Sequence, residues 1–216
     1  MVITWYGQSC FKIQSGDLVV VTDPFSKDVG LTPPRFKADV IAVTHEHHDH
    51  NNTDSIPEGA FIVRGPGEYE IKGIAITGIP TFHDASQGKE RGRNTVYAIE
   101  MEEMRLVHLG DFGEEKIRPE TLEALGEVDI LFLPVGGTYT IDAETAAEVV
   151  SAIEPKIVIP MHYAIPGLKV KLDGVEAFLK EMGAAKTAAE DRLTLKKKDL
   201  LEDESARVIV LKTANG

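Results

Sequence analysis

Residues 40–52 read VIAVTHEHHDHNN. Four of the chain's seven histidines, His45, His47, His48 and His50, fall within these few positions, with Asp49 among them. The apolar start belongs to ADVIAVT (38–44), a nearly continuous hydrophobic run that marks a buried strand. Its C-terminal end delivers the chain to His45. Residues two apart in an extended loop can face the same side. His45 and His47 can therefore share one ion, and Asp49 and His50 can reach a second beside it. Imidazole nitrogen and carboxylate oxygen are ordinary ligands for zinc and related ions. By the same alternation His48 points away from His47 and is left out of the ligand set.

One motif supplies at most four ligands, so the others must come from elsewhere in the chain. His83 stands in GIPTFHDAS, Asp111 in RLVHLGDFG and His162 in KIVIPMHY. Each sits at or shortly after the C-terminal end of an apolar strand, where open α/β sheets gather ligands into a crevice. The recurrence carries more weight than any single residue. His108 lies inside a predicted strand and reads as a buried, hydrogen-bonded residue supporting the ligands.

Working outward, the N-terminal segment reads as strands at 2–6, 10–13 and 17–22, rich in β-branched and aromatic residues and parted by Gly7 and Ser15-Gly16. Further strands are expected at 60–64, 73–78, 95–101 and 105–109, with turns marked by the glycines and Pro66 of RGPGEYEIKG. The second half alternates. Helices are expected at 114–126, at 142–153 with Asp142 as N-cap, and at 173–183 with Asp173 as cap. Strands fall at 128–134, 156–160, 192–195 and 206–213. The run KKKDLLEDE (197–205) reads as a solvated turn or loop. Trp5 and Tyr6 read as core or sheet-face residues, and Cys10 as a small buried apolar one.

The length suits one domain over 1–216, and 43% hydrophobic residues are enough for a core. The N-terminus lacks a signal-peptide pattern, no apolar stretch is long enough to span a membrane, and the single cysteine fits a reducing compartment. The expectation is a cytoplasmic protein without membrane contact. A net charge of −12 repels polyanions and weighs against nucleic-acid binding.

The stretches THEHHDH (44–50), FHD (82–84), HLGD (108–111) and IPMHY (159–163), in this order, resemble the metallo-β-lactamase-fold superfamily. GQSCF, TDPF, GRN and LPVGGTYTIDAETAAEVV resemble the branch of small metal-dependent hydrolases related to L-ascorbate-6-phosphate lactonases. The resemblance implies a four-layer αββα sandwich with mixed sheets, helices on the outer faces and a dinuclear site at one edge. It implies that His45, His47 and His83 hold the first metal, that Asp49, His50 and His162 hold the second, and that Asp111 bridges them. The diiron flavoprotein branch usually carries glutamate where this chain has His47, which argues against that chemistry here.

The function expected from this set is hydrolysis by two divalent ions, zinc first, with Mn²⁺ or Fe²⁺ as alternatives. Their charge turns a shared water into hydroxide at neutral pH, and that hydroxide attacks an ester, lactone or phosphoester of a small anionic substrate. Asp49 would orient the nucleophile and take a proton. Lys89, Arg91 and Arg93 in the loop after His83 are candidates to steer the anion, and Arg93 and Tyr163 are the expected substrate contacts, with Tyr139 a further candidate for the pocket wall. A homo-oligomer is compatible with the sequence. The rival readings are a metal-dependent nuclease, a metal-binding protein without turnover, and persulfide or thiol-ester chemistry on one iron.

Overall fold

The computed structural model describes residues 1–200 and 206–214. Strands β1 (Val2–Gly7), β2 (Cys10–Ser15) and β3 (Leu18–Thr22) form an antiparallel meander, and β4 (Val40–Val43) and β5 (Phe61–Arg64) continue it in parallel. Strands β6 (Gly67–Ile71), β7 (Ile74–Phe82), β8 (Arg93–Met101) and β9 (Met104–His108) make a second antiparallel run. Helix α1 (Pro119–Leu125), strand β10 (Ile130–Pro134), helix α2 (Ala143–Ile153), strand β11 (Ile157–Met161) and helix α3 (Glu176–Glu181) follow. The short β12 (Leu193–Thr194) pairs with β1, and β13 (Arg207–Val208) pairs with β11. The two sheets run β12-β1-β2-β3-β4-β5 and β13-β11-β10-β9-β8-β7-β6.

The alternating burial of β1 puts Ile3 and Trp5 inward, into one apolar core shared with β7 to β11. β4 and β10, flanked by strands on both sides, are buried at every position, as their continuous hydrophobic sequence requires. In β9-α1-β10-α2-β11 each parallel strand is added on the same side of the last. Right-handed crossovers then place α1 and α2 on one face of the second sheet. Helix α2 buries Ala146, Val149, Val150 and Ile153, and the Asp142 carboxylate caps it by accepting from the Thr145 N–H at 2.9 Å.

The two mixed sheets agree with the expected sandwich, with one difference. All α-helices among the described residues lie in the second half. The outer face of the first sheet is covered instead by coil and short 3-10 turns such as Lys27–Val29, packed over Cys10, Val21, Phe25 and Ile41. Boundaries also moved. α1 starts only at Pro119, because Glu114 is drawn away to the Phe82 N–H and the Arg118 guanidinium. α3 starts at Glu176 because the backbone of Asp173 is already paired with Ala164 and Gly136. The expected strand at 206–213 reduces to β13 and isolated bridges. Of 197–205, Lys197–Asp199 form a 3-10 turn and residues 201–205 lie outside the described residues. No helix among the described residues is long and apolar enough to cross a membrane.

Candidate metal centre

Strand ends build the site. β4 hands the chain to His45, β7 to His83, β9 to Asp111 three residues on, and β11 to His162. All seven expected residues meet. The ligand atoms of His45, His47 and His83 lie within 4.8 Å of one another, as do those of His45, His50 and Asp111 and those of Asp49, His50 and His162. Asp111 stands at the centre. Its oxygens lie 3.2 Å from His83 Nε2, 3.3 Å from His50 Nε2, 3.5 Å from His162 Nε2 and 3.9 Å from His45 Nε2. The motif is not extended throughout. The His50 N–H donates to the His47 carbonyl at 2.9 Å, so a turn, rather than simple alternation, swings Asp49 and His50 into place and leaves His48 at its tip.

Asp23, just past β3, was not singled out as a site residue, yet it braces the motif. It is fully buried. Its carboxylate accepts from the Thr44 N–H (2.8 Å), the Thr44 hydroxyl (2.7 Å) and His50 Nδ1 (2.9 Å). The Thr44 oxygen in turn lies 3.0 Å from His45 Nδ1. With its hydroxyl proton given to Asp23, Thr44 accepts from His45 Nδ1–H. Both imidazoles then have Nδ1 held by a hydrogen bond and Nε2 left facing the cluster around Asp111. Gln8 Nε2 donates to Asp49 Oδ2 at 3.1 Å, and the Gln8 carbonyl accepts the His162 N–H at 3.1 Å. Asn94 positions Asp111 by accepting its N–H at 3.1 Å while its own amide donates to Thr81 and Leu109. The only sequence signals for these three were the GQSCF, TDPF and GRN stretches.

The backbone bends to deliver these groups. Gln8, Asp23 and His162 all adopt left-handed φ (49°, 39° and 52°), which costs a non-glycine residue on the order of 1 kcal/mol. His162 holds that shape against Gly136, where a Cβ would lie 2.2 Å from the His162 carbonyl oxygen. His108 is buried with both ring nitrogens spent on backbone, one on the Ser9 carbonyl at 2.9 Å and one on the Gly110 N–H at 3.2 Å.

Burial, then the nearby charge of His50, holds the His45 imidazole far below its ordinary pKa. Burial also lowers His47 and His162. For His50 burial pulls the same way, but Asp111 and Asp23 outweigh it and raise its pKa well above 6.5. Burial alone would raise Asp111, yet His162 and His50 hold it well below the usual carboxylate range. His50 Nε2 and Asp111 Oδ1 are buried without a hydrogen-bond partner. Imidazoles, carboxylates and orphaned buried ligand atoms aimed at one point are the set a divalent cation takes, displacing any proton held on them.

The centre floors a cleft of about 630 Å³. Arg91 lines it, with its guanidinium 5.7 Å from the Tyr139 ring centre and 3.4 Å from the Thr138 carbonyl. Arg91 is held there by its loop, whose Ser86, Gly88, Glu90 and Arg91 N–H groups all donate to the Asp84 carboxylate. The structure does not bring the two expected substrate contacts to this cleft. Arg93 opens β8 opposite Phe82 and borders a neighbouring hollow. Tyr163 is 4% exposed and packs on Trp5 with ring centres 5.0 Å apart, because the chain turns inward after the left-handed His162.

This fold and this site define a class, that of metallo-β-lactamase-type metal-dependent hydrolases, and the beta-lactamase superfamily domain model matches residues 2–162. A UPF0173 metal-dependent hydrolase of Thermoplasma acidophilum is 34% identical over 187 residues, 74% of this chain and 82% of the relative. One from Pyrococcus horikoshii is 30% identical over 74% of this chain and 84% of its own length. A crystal structure from Thermotoga maritima, of a metallo-β-lactamase superfamily protein, superposes with a TM-score of 0.77 at 33% identity, covering 98% of this chain and 99% of that one. The chain belongs to the UPF0173 metal-dependent hydrolase family.

Proposed function

We propose that this member hydrolyses an ester, lactone or phosphoester of a small anionic molecule at a two-metal centre. His45, His47 and His83 would hold one ion, Asp49, His50 and His162 the other, with Asp111 shared. The observation that supports a shared centre is Asp111 itself, within 3.9 Å of four imidazoles delivered by three strand ends, those of β4, β7 and β11. The donor set suits zinc and accepts Mn²⁺ or Fe²⁺.

When bound, the ions supply Lewis acidity and an acidified water. The chain supplies the rest. Asp23, directly for His50 and through Thr44 for His45, fixes which ring nitrogen is free. Asp49 lines the cleft with one carboxylate oxygen tied by Gln8. Its other oxygen is available to orient the attacking water and take its proton. The resemblance of TDPF and GRN to lactonase relatives makes lactones the first substrates to try, and Asp23 and Asn94 in those stretches brace His50 and Asp111.

Elemental analysis of anaerobically purified protein, paired with a panel of lactones, carboxylic esters and phosphodiesters, tests the reading. Two metals per chain and turnover of at least one class are expected. Two metals with no turnover across the panel would overturn the hydrolytic reading, and one metal per chain the dinuclear one.

A further inference from the structure

The cleft above the centre is also lined by Lys169 and Lys171. We propose that these two lysines, with Arg91, form a subsite for an anionic group of the substrate that is remote from the bond being broken. The proposal deepens the hydrolase reading and rests on it for the position of that bond.

The segment carrying the lysines is fixed from below. Leu168 and Val170 are half-buried against the apolar cluster under the first sheet, while Lys169 and Lys171 are exposed and line the cleft. The Lys169 N–H donates to the Val29 carbonyl at 2.8 Å. Gly30 permits the approach. A Cβ there would lie 2.2 Å from the Gly167 carbonyl oxygen, and its φ of 97° is one that side chains resist. The lysine segment is thereby pinned to the turn at Lys27–Val29.

Charge makes the case. The chain carries −12 overall, and the cleft holds Asp28, Asp49 and Asp111 as well as the cations. Asp28 is hydrogen-bonded to the Ser26 hydroxyl at 3.1 Å, Asp49 to Gln8, and Asp111 faces the imidazoles. Among the described residues neither Lys169 nor Lys171 forms a salt bridge, and the nearest carboxylate oxygen to Arg91 is Glu90 at 3.9 Å. The aromatic face of Tyr139 and the Thr138 carbonyl pre-position the guanidinium. Ammonium and guanidinium groups left uncommitted beside a reaction centre recognise carboxylate or phosphate.

Butyrate, glutarate and 4-phosphonobutyrate make a matched set of probes. Each has one carboxylate on the same three-carbon stem, and the second and third add a remote carboxylate or phosphonate. Calorimetric titration into the zinc-loaded protein should show a preference of about tenfold or more for a doubly anionic probe over butyrate, falling with added salt. The tighter of the two names the remote anion. The preference should collapse in Lys169→Ala/Lys171→Ala and largely survive in Lys169→Arg/Lys171→Arg. Equal affinity for all three probes in the wild type, or a preference that persists in the double alanine variant, overturns the subsite. The hydrolase reading fails separately, by absence of turnover while the lysine-dependent preference remains.

Discussion

The two ligand clusters share a carboxylate but not an environment. His45, His47 and His83 are all imidazole, and His47 is exposed to the cleft. Asp49, His50 and His162 mix carboxylate with imidazole, and both histidines are buried. The second cluster is also the more heavily braced, by Asp23 on His50, Gln8 on Asp49, and the left-handed backbone of His162 tied to Gln8. The difference teaches that one half of the centre is shaped by the fold itself, while the other keeps a side open for a substrate.

The comparison breaks most completely at the residue both halves use. On the two-metal reading proposed above, Asp111→Ala should drop the metal content from two per chain toward one and reduce kcat/KM by more than about a hundredfold, the upper range for loss of an outer-sphere partner. Elemental analysis beside kinetics checks it. A variant that keeps two ions would mean that the clusters bind independently.

Asp23→Asn comes next. An amide has one acceptor oxygen, so it cannot take the Thr44 N–H on one oxygen and the Thr44 hydroxyl and His50 on the other as the carboxylate does. Metal affinity should fall by about ten- to a hundredfold, measured by competition with a chromophoric chelator. The loss should be larger at the His50 cluster, which Asp23 touches at 2.9 Å, than at the His45 cluster, which it reaches through Thr44. Equal losses would make the two halves equally dependent on one brace.

The sequence showed the ligands better than the braces. THEHHDH announces itself by density, and His83, Asp111 and His162 by their place after apolar runs. Asp23 and Gln8 act through hydrogen bonds made across the fold, from positions that look like ordinary turn residues. Arg91 and Arg93 were indistinguishable in one charged loop until pairing with Phe82 fixed Arg93 at the start of β8. Strand β6, GEYEI, hid because as an edge strand it buries little and shows no hydrophobic alternation. The helices shortened where side chains found partners outside them, as Glu114 did.

Protonation sharpens the contrast. The raised pKa of His50 means that it holds a proton near neutral pH, whereas His45 and His47 are shifted down and neutral. Filling the His50 cluster should therefore release about one proton from His50, and filling the other none from His45 or His47. Calorimetry in two buffers of different ionisation enthalpy reads this difference, and equal proton release from both would erase it. For the metal-free fold the signs are opposite. His50 contributes stability that is fully present below its ordinary 6.5 and is lost as pH rises through its raised value. The lowered His45, His47 and His162 instead weaken the fold as pH falls below 6.5 toward their shifted values.

The smallest effect falls on the residue beside the most exposed ligand. His48 follows His47 directly, is 74% exposed in its side chain, and comes no nearer than 4.0 Å to an Asp49 oxygen. The hydrogen bond from the His50 N–H to the His47 carbonyl closes a turn over His48, which borders the cleft but, unlike His47, belongs to none of the ligand clusters. His48→Ala should change metal affinity by less than about twofold, in keeping with the small worth of exposed polar contacts. His47→Ala should change it by about tenfold or more at the open cluster, with the buried cluster less affected. A large loss from His48→Ala would mean that the turn gives way when the open cluster fills, and the division between a shaped half and an open half would have to be redrawn around a mobile motif.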